Sequence, residues 1–370
     1  MAEVIFEIPG TLYFGSDVLN LVGNISANLG KRAMLLADYN LHENRSIESV
    51  IDSLHRKGIQ TILIDDLHSG TLASTVDLAQ TSRIEFIIAM GGGSTLQSGR
   101  EVAFRYRKNG KTQEAQRATY LEILTVLRFP FLFRNTFLEV DLLKNSIKTP
   151  LLPEGMYRGV LIDPALMGGL SSKYAATLLI DSLLHAFEGY LSTESNFLSE
   201  NQFRGALIHL GEALDSMLAG EKSLKPRVKA TQGGILSALG YANLRFGPAL
   251  ALTHTIYYRF GIPKSWIGTV FLPHLADLYE DSHPQHLAKA AKLIGEDTFG
   301  LTAEEAASAF SSKIRRSLAL LGLPSRLRDF DLKLPKLVEA AEAAAALEGS
   351  SLFHIPFSIE ELYDFLKRSF

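Results

Sequence analysis

The first half of the chain alternates short apolar runs, which are typical of buried strands, with stretches of helical periodicity. Strands are predicted around residues 4–6, 32–37, 61–64, 84–90 and 161–162, and the helices between them include 16–30 and 46–57. Because strands and helices alternate, the pattern predicts a parallel sheet covered by helices.

Beyond residue 165 almost every apolar pattern has the helical period. Helices are predicted over 175–191, 199–218, 228–244, 271–279, 284–293, 303–321, 332–347 and 359–370. A chain of 370 residues is long enough for two hydrophobic cores. We therefore predict an α/β nucleotide-binding domain with a parallel sheet over residues 1–165 and an all-α helical domain over residues 166–370.

Three consecutive glycines (Gly91, Gly92 and Gly93) end an apolar run and precede Ser94. Residues without a Cβ atom let a phosphate approach the main chain, and the start of the following helix presents free N–H groups. Ser94 or Thr95 is the predicted N-cap of that helix. The stretch predicts a phosphate or nucleotide site, although a tight turn between two packed elements has the same pattern.

Asp38 stands at the end of the predicted strand 32–37. A carboxylate in that place can accept hydrogen bonds from both ribose hydroxyls of a nucleotide, and it repels a 2′-phosphate. Asp38 therefore favours NAD over NADP as the cofactor. The simpler interpretation is a solvated acid in a turn.

Composition narrows the range of partners. The net charge is −3, so no excess of basic residues indicates nucleic acid. No apolar stretch reaches the roughly 18 residues that a membrane span needs. The first residues carry acid and lack a long apolar core, unlike a signal peptide, and the chain has no cysteine. We expect a cytoplasmic protein with a small-molecule substrate, no nucleic-acid or membrane partner, and a homodimer as the generic assembly.

Several motifs follow one another along most of the chain. They are Tyr13-Phe14-Gly15, Asp38, Gly91-Gly92-Gly93-Ser94, Asp163-Pro164, Asp181-x-x-x-His185-x-x-Glu188, Leu321-Gly322-Leu323-Pro324 and Pro356. In order and spacing these motifs resemble the iron-containing (group III) alcohol dehydrogenase superfamily, whose fold is that of dehydroquinate synthase. The resemblance implies a nucleotide-binding domain, a helical domain and an active site in the cleft between them.

The resemblance also implies NAD(P) on the glycine turn, and a divalent metal that polarises an alcohol or carbonyl oxygen. Where the family has a lysine this chain has Arg100, which keeps the positive charge and is a predicted cofactor-binding residue. Where the family has an aspartate this chain has Gln97. The loop at 125–135, near the nicotinamide in the family, has no glycine or serine here, and its bulk would fill space that a dinucleotide ordinarily occupies.

Asp181 and His185 lie four positions apart and would share one face of a helix, as two ligands of one ion must. The resemblance places the other two metal ligands at Leu250 and Lys264, neither of which coordinates a divalent ion. We therefore predict a remnant metal pair without tightly bound iron or zinc. The ammonium of Lys264 would replace the lost charge by holding Asp181 or by donating to a substrate oxygen. His254 matches a further family histidine near the active site.

The favoured function is an NAD(P)-dependent oxidoreductase acting on a small polar alcohol or aldehyde. In it, Gly91 to Ser94 hold the pyrophosphate, His254 relays a proton and Lys264 serves as the electrophile. One alternative is a non-redox lyase, cyclase or decarboxylase on the same scaffold, which the altered loop at 125–135 supports. Another is a catalytically inactive binding subunit, which the joint loss of several site residues supports.

Overall fold

The computed structural model of the chain describes residues 6–43, 45–68, 70–141, 146–349 and 352–370. The chain forms two compact units. The α/β unit consists of Ile8–Glu139 and Pro150–Gly169, and the main part of the helical unit is Leu170–Phe370. The predicted fold class, a parallel-sheet α/β region followed by a helical region, is confirmed.

The sheet of the α/β unit contains six parallel strands in the part of the chain that the structure describes. They are β1 (Thr11–Phe14), β2 (Arg32–Ala37), β3 (Gln60–Ile64), β4 (Phe86–Gly91), β5 (Thr119–Leu124) and β8 (Tyr157–Ile162). Strands β6 (Glu139–Asp141) and β7 (Ser146–Lys148) form a separate two-stranded sheet. The spatial order of the six parallel strands is β1, β8, β5, β4, β2, β3. Every residue of β4 is buried, as expected for a central strand of a parallel sheet.

Five helices belong to the α/β unit in its described part: α1 (Val22–Ser26), α2 (Ser46–His55), α3 (Leu72–Thr81), α4 (Gly93–Asn109) and α5 (Gln113–Arg117). On α2 the buried residues Ile47, Val50 and Leu54 recur with the helical period, and they join a core with Leu35 and Ile88 of the sheet. The hydrophobic periodicity that predicted helix 46–57 therefore reflects one buried face.

One early prediction lies largely outside the described residues, and another differs from the structure. The strand predicted at 4–6 lies largely outside the described residues, and the first described strand is β1. The helix predicted over 16–30 is shorter: a 3₁₀ turn over Val18–Leu21 leads into α1, which ends at Ser26. Asp17, just before that turn, has a left-handed backbone (φ 62°), which a continuous helix from residue 16 would not allow.

The helical unit follows from residue 170. Its helices in the described residues are α6 (Ser172–Leu191), α7 (Phe197–Leu218), α8 (Leu224–Gly240), α9 (Pro248–Phe260), α10 (Lys264–Ser282), α11 (Pro284–Leu293), α12 (Ala303–Leu320), α13 (Lys336–Ala345) and α14 (Ile359–Arg368). Helices α6, α9 and α10 pack against one another. Among the described residues, no helix combines the length and the apolar character that crossing a membrane requires.

Helix α9 was not predicted from the sequence. All residues from Ala249 to Ile256 are buried, so this part of the helix has no solvent-exposed face, and its sequence lacks the amphipathic pattern that predicts a helix. Pro248 at its first position is well suited to a helix start, because the missing N–H has no acceptor there in any case. This unpredicted helix carries Leu250 and His254.

Candidate active site

The glycine turn connects the centre of the sheet to α4. Strand β4 ends at Gly91, and α4 begins at Gly93, so Gly92 is the N-cap residue. The prediction that Ser94 or Thr95 caps this helix is therefore wrong, because both residues already lie in its first turn. Gly92 offers no side chain to the first N–H groups of α4, and these groups accordingly remain for an external acceptor.

Asp38 holds this turn in place from the end of β2. One carboxylate oxygen, Oδ2, accepts a hydrogen bond from the N–H of Gly92 at 2.8 Å, and the other accepts from the hydroxyl of Thr95. A Cβ atom on Gly91 would stand 2.6 Å from Oδ2 of Asp38, so only glycine fits at that position. The structure thus brings Asp38 and the glycine turn together, and the predicted ribose contact of Asp38 remains a prediction.

The outer side of the turn is open to solvent. Gly92 and Gly93 are half-buried and Ser94 is exposed. The main-chain N–H groups and the positive end of the α4 dipole therefore lie at an accessible surface, which suits a phosphate group. These residues could hold a phosphate group, and the predicted contact with a nucleotide remains a prediction.

Arg100 has a structural role in this unit that the sequence did not reveal. Its side chain is fully buried, and its Nε and a terminal nitrogen donate to both oxygens of the buried Glu122, at 2.7 and 2.9 Å. The negative charge of Glu122 raises the pKa of Arg100, so the guanidinium stays charged despite its burial. Arg100 is therefore part of the buried core of this unit, and its predicted cofactor contact remains a prediction.

In the helical unit, Asp181 and His185 lie on one face of α6, as predicted. The distance from Nε2 of His185 to Oδ1 of Asp181 is 3.3 Å, and both side chains are buried. The carboxylate of Asp181 packs directly against α10, because a Cβ atom on Gly268 would stand 2.3 Å from Oδ1. A side chain at position 268 would therefore displace Asp181.

Lys264 is the first residue of α10 and lies one helical turn before Gly268, on the same face of the helix. Its ammonium lies over the rings of Tyr257 and Tyr258, at 4.6 and 5.4 Å from their centroids. The ring of His254 stacks on the ring of Tyr258, and their centroids are 6.0 Å apart. Tyr258 thus connects the two predicted catalytic residues.

The residues present do not fit a divalent metal. Leu250 is a buried side chain without a donor atom, and Lys264 presents an ammonium. Across the described ranges there is no group of three or more histidine, aspartate or glutamate side chains that could hold an ion. Asp181 and His185 would supply two ligands, whereas a zinc site uses at least three protein ligands.

Glu188 is a buried acid whose role the sequence analysis did not assign, although the motif that contains it was noted. Its Oε1 accepts from the N–H of Ala249 at 2.6 Å, at the start of α9. Burial raises the pKa of Glu188 to about 7, against the opposing effect of hydrogen bonds from the N–H groups of Ala249, Leu250 and Gly247. Glu188 lies three residues, or about one turn, after His185 on α6. Its hydrogen bond to Ala249 connects α6 to the start of α9.

Two sequence models of one protein family match the chain. "Iron-containing alcohol dehydrogenase" matches residues 9–127, and "Fe-containing alcohol dehydrogenase family, C-terminal" matches residues 175–370. The 1,3-propanediol dehydrogenase of Citrobacter freundii is 25% identical over 359 residues and covers 92% of either chain. The lactaldehyde reductase of Escherichia coli is 21% identical over 352 residues, covering 90% of this chain and 91% of its own.

Solved structures share the fold over the whole length. A crystal structure of 1,3-propanediol oxidoreductase has a TM-score of 0.88 at 21% identity, with 100% of both chains covered. An alcohol dehydrogenase from Oenococcus oeni has a TM-score of 0.87 at 18% identity, again with 100% of both chains covered.

We expect that the double substitution Leu250→His with Lys264→His creates a metal site, because it adds two imidazoles to Asp181 and His185. The variant should retain about one Zn²⁺ or Co²⁺ per chain after gel filtration. Mass spectrometry measures the number of metal ions per chain, and the visible absorption spectrum reports bound Co²⁺. Leu250→Ala with Lys264→Ala is the matched control, and a stoichiometric ion retained by the unmodified chain would contradict the prediction.

The raised pKa of Glu188 predicts a pH-dependent stability. Below its ordinary pKa of 4.5 the carboxyl is protonated in both the folded and the unfolded chain. Its stabilising contribution is lost as the pH rises through about 7, because the buried group must then ionise. Glu188→Gln, which keeps the acceptor and cannot ionise, should melt at the same temperature as the unmodified chain at about pH 4 and higher at pH 8.

We expect a difference on the order of 2 kcal/mol at pH 8. Thermal unfolding followed by circular dichroism at the two pH values measures it. Glu360→Gln, at an exposed position of α14, is the control and should leave the pH dependence unchanged. Equal melting temperatures of the Glu188→Gln variant and the unmodified chain at pH 8 would show that burial does not raise the pKa of Glu188.

Proposed function

The chain belongs to the iron-containing alcohol dehydrogenase family, and from this premise we propose that it is a nicotinamide-dependent oxidoreductase of small polar alcohols or aldehydes that works without a tightly bound metal. Its family and its named relatives indicate an alcohol dehydrogenase-like oxidoreductase. The observation that carries the finer proposal is the pair of lost ligand positions, where a buried leucine and an ammonium group replace two metal ligands.

The proposed cofactor site is the glycine turn of the α/β unit. The uncapped first turn of α4 would hold the pyrophosphate, with Gly92 and Gly93 allowing close approach. Asp38 supports NAD over NADP, since its carboxylate lies at the turn and would repel a 2′-phosphate. A bound nicotinamide supplies the hydride acceptor for an alcohol or the hydride donor for an aldehyde.

The proposed catalytic groups are Lys264 and His254 of the helical unit. Oxidation of an alcohol builds negative charge on its oxygen, and a positioned ammonium stabilises that charge. The ammonium of Lys264 makes cation–π contacts with the rings of Tyr257 and Tyr258, which would favour one position of this group. His254, stacked on Tyr258, would accept the proton that the hydroxyl group loses.

The names of the relatives support the substrate class. 1,3-Propanediol dehydrogenase and lactaldehyde reductase are both named after small polar compounds that carry a hydroxyl or an aldehyde group. These proteins match the chain over about nine tenths of its length. We therefore propose a small polar alcohol or aldehyde as the substrate.

Titration with NADH tests the cofactor. We expect saturable binding with enhanced NADH fluorescence, and weaker binding of NADPH by about tenfold or more because of Asp38. The Asp38→Asn variant, which removes the charge and keeps an acceptor, should bind the two nucleotides more equally. Fluorescence that stays unchanged at millimolar concentrations of both nucleotides would favour non-redox chemistry or a binding subunit.

Substitution of Lys264 tests the replacement of the metal. We expect Lys264→Ala to lower kcat/KM by about a hundredfold, as for loss of one oxyanion donor, on a panel of small diols and aldehydes assayed without added metal. Lys173→Ala is the matched control, because this lysine also lies over an aromatic ring, that of Trp266, at 5.2 Å. Undiminished activity of Lys264→Ala, or activity of the unmodified chain only with added zinc or iron, would refute the role.

A further inference from the structure

One segment of the α/β unit lies directly on the glycine turn. We name residues 125–138, between β5 and β6, the wall segment. Cγ1 of Val126 lies 3.6 Å from the place where a Cβ atom of Gly92 would stand, and the ring of Phe129 lies 3.3 Å from the corresponding place on Gly93. These two side chains therefore bound the space beside the turn.

The wall segment contains no helix and no long strand of its own, so other parts of the unit must hold it in position. Arg100 does so through one terminal nitrogen, Nη1, whose two N–H groups lie within hydrogen-bond distance of three carbonyl oxygens of the wall segment, so that at least one N–H is shared between two of them. The distances are 3.0 Å to Phe131, 2.8 Å to Arg134 and 2.8 Å to Thr136. A buried guanidinium that binds three carbonyls fixes the path of the main chain around it.

The remaining surface of the guanidinium is also occupied. Its other donors bind both oxygens of Glu122, which in turn accepts from the hydroxyl of Tyr157 at 3.0 Å. The rings of Phe129 and Tyr157 lie 5.0 and 5.2 Å from the central carbon of the guanidinium. The aromatic residue that touches Gly93 is thus itself held by Arg100.

Gln97 holds the other end of the same segment. Its Oε1 accepts from the N–H of Leu138 at 3.1 Å, and its side chain is buried. Gln97 and Arg100 lie three positions apart on α4 and so share one face of the helix that begins at the turn. One helix therefore carries both the anion-binding N–H groups and the side chains that position the wall segment.

We propose that Arg100 and Gln97 are positioning residues, which hold the wall segment against Gly92 and Gly93 and thereby set the affinity of the turn for the pyrophosphate of a nucleotide. The wall segment shields one side of the turn from water, and hydrogen bonds to an anion are stronger where water is excluded. The proposal rests on the proposed function in one respect, namely that a nucleotide is the ligand.

The test uses the full chain and the double variant Arg100→Gln with Glu122→Gln. Both charges are removed together, because loss of the arginine alone would leave Glu122 buried and uncompensated. Arg100→Lys is the conservative variant, since it retains the charge but not the planar set of donors. Arg105→Gln is the control, on the same helix but half exposed and paired with Glu101 and Glu139.

Two measurements are made on each variant. Hydrogen exchange of the backbone N–H groups of the wall segment reports how firmly it is held, and calorimetric titration with inorganic pyrophosphate and with NADH reports the affinity of the turn. In the double variant we expect faster exchange confined to the wall segment and a loss of affinity of about tenfold for both probes, with partial recovery in Arg100→Lys. The control should match the unmodified chain.

The outcomes separate the two proposals. Unchanged exchange in the double variant, or faster exchange without loss of affinity, overturns the role of Arg100. Binding of pyrophosphate but not of NADH by the unmodified chain overturns the nicotinamide-dependent function. The pyrophosphate affinities of the variants then test the role of the wall segment. Binding of neither probe overturns both proposals. If the double variant does not fold, Phe129→Ala and Gln97→Ala must show the same loss of affinity for the proposal to stand.

Discussion

The carboxylate of Asp38 binds the end of β2 to the beginning of α4, and the geometry of the glycine turn depends on this contact. It accepts from the N–H of Gly92 and from the hydroxyl of Thr95, in a space that a Cβ atom on Gly91 would occupy. A buried main-chain donor must find an acceptor, and here a side chain provides it. The first turn of α4 is consequently left with N–H groups that face solvent.

In the helical unit, ionisable side chains are buried among the three packed helices α6, α9 and α10. Asp181 and His185 are held on α6 against α10, and Glu188 fastens the start of α9. A buried charge requires a partner, so a positive group placed beside these carboxyl groups would change their protonation. An ammonium at Lys264 is a physically consistent replacement for a cation at that position.

Each unit contains residues that differ in type from those that the family resemblance implies. In the α/β unit, Gln97 and Arg100, which stand where the resemblance implies an aspartate and a lysine, both bind the wall segment. In the helical unit, Leu250 and Lys264 stand at the two positions where the resemblance implies metal ligands, and neither side chain coordinates a divalent ion. The fold is shared with a solved structure at a TM-score of 0.88, and a shared fold does not by itself determine the chemistry of a site.

The sequence by itself determined the parallel sheet, most of the helices and the glycine turn, because each has a periodicity or a residue type that local geometry requires. It also identified Asp181 and His185 as neighbours, since positions four apart share a helical face. Only the tertiary structure decided the extent of α9 and the role of Arg100. A helix buried on all sides shows no amphipathic period, and the partner of Arg100 lies 22 residues away on another element, a pairing that only packing can bring about.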